Sequence, residues 1–171
     1  MASLWNGIKM KAGGMFGRTQ LARQEEFAER NMTDSRLGCF DFFAGLGPQE
    51  LSFIAANCKE MQVSCGELLI QQGQVGQDVY LLESGSVRVF RGDAASPQGQ
   101  TLLEAPTILG EMALVDPERI RNSSVIARSD LRLLRIPIST FLVFVRSYPS
   151  LKESLRQLLA VRSAKASPRM N

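Results

Sequence analysis

Between residues 60 and 137 apolar and polar side chains alternate in short runs: EMQVSC, ELLIQQ, DVYLLE, SVRVFR, QTLLEA, SVIARS and LRLLRIP. A period of two predicts strands. Turn signals at Cys65-Gly66, Gln72-Gly73, Ser84-Gly85, Gly92-Asp93 and Ser129-Asp130 separate them. Short strands at such regular spacing predict a sandwich or barrel, here a compact β-roll over 60–137. On both sides the period moves to near four. Upstream, TQLARQEEFAERN at 19–31 predicts one helix, and CFDFFAGLGPQELSFIAANC predicts a second. Gly45 and Gly47 mark the turn before the second helix, Pro48 suits its first turn, and Leu51, Phe53, Ile54 and Ala55 form its buried stripe. Downstream, STFLVFVRSYPSLKESLRQLLAVRS predicts a helix into Arg146, a break before Pro149, and another helix carrying Leu151, Leu155, Leu158 and Leu159 on one face.

One stretch resists the alternation. ILGEMALVDPERIRNSSVIA, residues 108–127, opens on a Gly-Glu pair, passes an Asp-Pro break and a polar run, and only then resumes a strand-like pattern. Its parts suit a small cyclic phosphate ester, which presents one anionic charge, a sugar hydroxyl and a flat base. Gly110 permits close approach, and EMALV suits one helical turn whose first N–H groups face an anion. Glu111 is the acceptor for a ribose hydroxyl. Asp116-Pro117 ends the turn, and Arg121 returns at the edge of the next strand with Ser123 and Ser124 as further donors. Arg119 competes for the arginine role, but Arg121 adjoins the polar donors and the strand.

Composition narrows the chemistry. With 171 residues, 44% hydrophobic and 22% charged, the chain has room for one domain and its core, and holds no apolar run long enough to cross a bilayer. It contains no histidine, which excludes Ser-His and Cys-His nucleophiles and His-ligated metals, so no catalytic site and no metal are expected. A metal enzyme on a cupin-like roll would need carboxylates alone as ligands. Cys39, Cys58 and Cys65 lack paired metal spacing and read as reduced thiols of a cytoplasmic protein; the N-terminus also lacks a secretory h-region. A net charge of +3 is too slight and dispersed to argue for nucleic-acid binding. Residues 1–18 form a basic arm whose Lys9, Lys11 and Arg18 are interleaved with Trp5, Ile8 and Met10. Such a stretch suits a membrane surface or an acidic partner, or more commonly a poorly ordered extension.

LGEMALVDPERIRNSSVIA resembles the phosphate-binding cassette of the cyclic nucleotide-binding domain family, and LIQQGQVGQDVYLLESG at 69–85 is similar to that family's glycine-bearing signature. The resemblance covers roughly residues 38–163. It implies a mainly β fold, a double-stranded β-helix or jelly-roll-like roll, flanked by N-terminal helices and by a C-terminal hinge helix plus lid helix. The implied plan is a binding domain at 19–163, with helices at 19–58, the roll at 60–137 and C-terminal helices at 139–163, followed by a tail at 164–171. It also implies that Gly110, Glu111, Met112 and Ala113 contact ribose and phosphate, and that Arg121, Asn122 and Ser123 contact the phosphate. The family pattern places a small residue and then alanine after the arginine, whereas this chain has Asn122 and Ser123; added polar atoms there must find partners or weaken binding. The expected protein is a receptor for a cyclic nucleotide, cAMP ahead of cGMP, without enzymatic activity. Relatives often carry a DNA-reading, kinase or channel domain; this chain ends soon after the lid, so a partner protein is expected, or a second copy docked through the leucine face. The competing expectation is an interaction scaffold whose pocket has diverged.

Overall fold

The computed structural model describes residues 36–92 and 100–166, with side chains as far as residue 164. The basic arm at 1–18, the helix expected at 19–31 and tail residues 167–171 lie outside them. The strands are β1 (Lys59–Val63), β2 (Leu68–Ile70), β3 (Asp78–Ser84), β4 (Ser86–Phe90), β5 (Thr101–Glu104), β6 (Thr107–Leu109), β7 (Ser124–Ala127) and β8 (Leu131–Pro137). The helices are α1 (Pro48–Ala55), α2 (Ile138–Ser147) and α3 (Pro149–Ala166), with 3-10 turns at Asp41–Phe43 and Glu111–Leu114. The fold is the expected mainly β roll. Its two antiparallel four-stranded sheets run β1-β8-β3-β6 and β2-β7-β4-β5.

Three layers account for the sequence pattern. Between the sheets lie Val63, Ile70, Leu82, Val87, Leu109, Val125, Leu131 and Leu133. On the other face of the first sheet, Val79, Leu81, Leu134 and Ile136 meet Leu37, Phe43, Ile54, Phe141, Phe144 and Leu151 from the helical layer. β3 and β8 are therefore covered on both sides, which is why DVYLLES and LRLLRIP carry near-continuous apolar runs. β6 has three residues, too few for a period-two signal, and the sequence pattern does not separate it from the cassette.

Gly47 caps α1 with Pro48 at its first position, as the turn signal implies. Phe53 departs from the expected buried stripe: it is 55% exposed and meets the core by an edge contact to Phe144, the ring centroids 5.6 Å apart. A helix of eight residues lying on a sheet can bury one narrow stripe, and Ile54 and Ala55 occupy it. The break between α2 and α3 falls at Tyr148, in extended conformation, before Pro149. α3 continues three residues past the expected end, through Ala164, Lys165 and Ala166, all good helix formers. Its Leu151 and Leu155 are buried in the core, and Leu158 and Leu159 pack against it, so the leucine face is occupied within the chain.

Phe141 is completely buried and stacks on Phe42 at 5.5 Å, joining α2 to the N-terminal turn. Phe141→Ala should cost about 3–5 kcal/mol in urea unfolding. A cost below about 1 kcal/mol would contradict this packing.

Candidate functional site

The cassette lies between β6 and β7. Gly110 adopts φ 84°, a left-handed conformation that L side chains resist, and turns the chain from β6 into the 3-10 turn at Glu111–Leu114. The first amides of such a turn have no partner inside it. Asp116 then closes the following loop, its Oδ1 accepting from the amides of Glu118 at 2.8 Å and Ile120 at 3.3 Å.

The chain returns to the site at Arg121, held by the opposite loop. The Arg121 amide donates to the Gln74 carbonyl at 2.8 Å, the Gly73 amide to the Arg121 carbonyl at 2.9 Å, and the Gly76 amide to the Arg119 carbonyl at 2.8 Å. This short pairing is the work of the QQGQVGQ segment: it fixes the backbone from which the arginine projects. Arg119 itself has φ 58° and an exposed side chain outside the cavity lining, whereas Arg121 lines the cavity.

The Arg121 side chain is 7% exposed. Its Nη1 donates to the Gly110 carbonyl at 2.7 Å and its Nη2 to the Asp78 carbonyl at 2.6 Å. Two glycines make the space: a Cβ on Gly76 would stand 2.7 Å from Arg121 Cζ, and one on Gly110 would stand 2.5 Å from Nη1. Burial lowers the guanidinium's pKa, while Tyr80, Asp78 and Glu111 raise it. It stays charged, as guanidinium does in proteins.

Gly110, Glu111, Met112, Ala113, Arg121, Asn122 and Ser123 all line one cavity of about 340 Å³, within the size range of small-molecule sites. Ile70, Val89, Leu103, Leu109 and Val125 give it an apolar wall, suited to a flat base. Ser124 takes another role: its Oγ accepts from the Gln72 amide at 3.0 Å, away from the cavity lining.

Arg162, which the sequence reading missed, also lines the cavity. From α3 it donates through Nη2 to Thr107 Oγ1 at 3.0 Å and to the Ile108 carbonyl at 3.3 Å, and its Nε stands 3.6 Å from Glu111 Oε1. A signal did exist. Arg162 falls four residues after Leu158 and three after Leu159, so it continues the leucine stripe at helical spacing. Among the described residues no group of three or more Cys, Asp or Glu is placed to hold a metal ion, and no helix is long and apolar enough to cross a membrane.

Glu111 is 3% exposed. Burial pushes its carboxyl up from the ordinary value of 4.5, and the guanidinium of Arg162, its own backbone amide and Arg121 pull it partly back. The folded state thus binds the proton more tightly than the unfolded chain, and stability falls as pH rises from the ordinary glutamate range through the raised value. Glu111→Gln removes that titration. Its thermal stability across this window should fall less steeply than the parent's, and superimposable curves would contradict the assignment.

The cyclic nucleotide-binding domain model matches residues 60–148. The chain is 33% identical over 125 residues to the Cyclic AMP receptor protein of Thermus thermophilus, an alignment covering 72% of this chain and 57% of that protein. It is 30% identical over 110 residues to a cAMP-dependent protein kinase regulatory subunit of Aspergillus fumigatus, covering 64% of this chain and 26% of that protein. Among solved structures, the Thermus thermophilus Catabolite Activator Protein superposes with a TM-score of 0.62 at 32% identity, covering 73% of this chain and 59% of that one. The chain therefore spans less than two thirds of the length of these relatives.

Proposed function

Because this chain belongs to the cyclic nucleotide-binding domain family, we propose that it is a receptor for a 3′,5′-cyclic nucleotide, cAMP ahead of cGMP, acting without catalysis and passing its signal to a partner protein. The observation that carries the reading is the buried Arg121 guanidinium at the edge of a cavity that all seven cassette residues line. An anion there meets a charged planar fork and the opening amides of the Glu111–Leu114 turn together. The ribose hydroxyl donates to Glu111, and the base lies along the wall of Ile70, Val89, Leu103 and Val125. The names of the Thermus and Aspergillus relatives support adenine over guanine.

Signalling requires a ligand that prefers one of two conformations. α3 is the element in reach, since Arg162 ties it to Glu111 and to the Thr107–Ile108 edge. A ribose that engages Glu111 competes with Arg162 for the same carboxylate and so alters the hold on the lid. With the leucine face occupied by the core, a partner or second copy would meet the outer side of α3, where Val161 is 53% exposed. Residues 19–163 would then act as the binding unit, in the cytoplasm, with the arm at 1–18 and the tail at 164–171 outside it.

The scaffold reading rests on Asn122 and Ser123, polar residues where the family pattern has a small residue and alanine. A thermal-shift series separates the two. The receptor reading predicts saturable stabilisation by cAMP, about 2.7 kcal/mol at a hundredfold excess over Kd. Arg121→Ala and Glu111→Ala should abolish it with the fold intact, and Arg121→Lys should reduce it sharply by losing the fork. Full stabilisation retained in both alanine variants would refute the assignment, and no response by the parent protein would favour the scaffold.

A further inference from the structure

We propose that Arg91, aimed by Ser123, brings a second guanidinium to the ligand's anionic group; the inference rests on the cyclic nucleotide reading above. The strand register carries it. Val89 pairs with Val125 and Phe90 with Ser124, so one step beyond the paired strands Arg91 stands opposite Ser123. Side chains two apart share a face, which places Arg91 with Val89, and Ser123 with Val125, on the side that lines the cavity.

The pair is also fastened. Arg91 Nε donates to Ser123 Oγ at 3.3 Å. The next residue, Gly92, donates its amide to Gln72 Oε1 at 2.9 Å, and the Gln72 amide donates to Ser124 Oγ at 3.0 Å. The end of β4 is thereby tied to the cassette from both sides. Among the described residues the terminal nitrogens of Arg91 make no hydrogen bond, and Arg91 lines the cavity, so its fork has the chemistry to meet an anion there.

This arrangement gives the serine a purpose. Where the family pattern has alanine, a hydroxyl needs a partner, and Arg91 supplies one. Ser123 is thus a positioning residue, and Arg91 is the group that touches ligand. Because Arg91 is solvent-exposed, its contribution is modest and screened by salt.

Calorimetric titration of the full chain with cAMP at low and high salt tests this. Arg91→Gln should raise Kd about three- to tenfold at low salt and flatten its salt dependence, with the melting temperature of the unliganded protein unchanged. Arg91→Lys should fall between the two. Ser123→Ala should weaken binding less, and should add nothing on the Arg91→Gln background. An Arg91→Gln protein with the parent's Kd and salt slope would overturn the inference while leaving the receptor reading intact. A parent protein without saturable binding would overturn the receptor reading, and this inference with it.

Discussion

A guanidinium buried without a carboxylate in hydrogen-bonding contact is the constraint around which the site is organised. Arg121 is almost wholly buried, yet its two terminal nitrogens reach main-chain carbonyls, those of Gly110 and Asp78. Carbonyls satisfy donors without cancelling charge, so the cavity keeps a net cation. An anion that enters completes the pairing. The rest follows from seating this group: glycines at 76 and 110 because a Cβ would collide with it, and a loop hydrogen-bonded to its backbone at Gly73 and Gln74.

The carboxylate nearest the site is itself divided between roles. Glu111 is buried beside Arg162 at a distance too long for a hydrogen bond, so its oxygens are held loosely by α3. A strong bidentate pair would have closed the site against a hydroxyl. On the proposed reading, a weak pair lets a ligand and the C-terminal helix draw on the same group, which is the physical requirement for coupling between them.

The fold was legible in the sequence where local chemistry decides it. Alternation and turn glycines located seven strands, and Pro48 and Pro149 marked helix starts that the structure shares. β6 escaped because three residues cannot display a period, and Phe53 was misassigned because spacing cannot tell which of two adjacent apolar positions faces the core. The cassette residues were legible because they are contiguous and the arginine lies ten residues beyond its glutamate. Arg162 and Arg91 were not, since one reaches the cavity from a helix more than fifty residues away in sequence and the other through cross-strand register. Long-range placement of that kind exists only once the sheets have paired.

The central claim concerns the position of one guanidinium, and Gly76→Ala tests position alone. The substitution leaves every charge and donor in place and puts a methyl group 2.7 Å from Arg121 Cζ, so the fork must move. Calorimetric titration with cAMP should show affinity lowered about tenfold or more, a loss smaller than the one Arg121→Ala causes. A Gly76→Ala protein that binds as tightly as the parent would contradict the account.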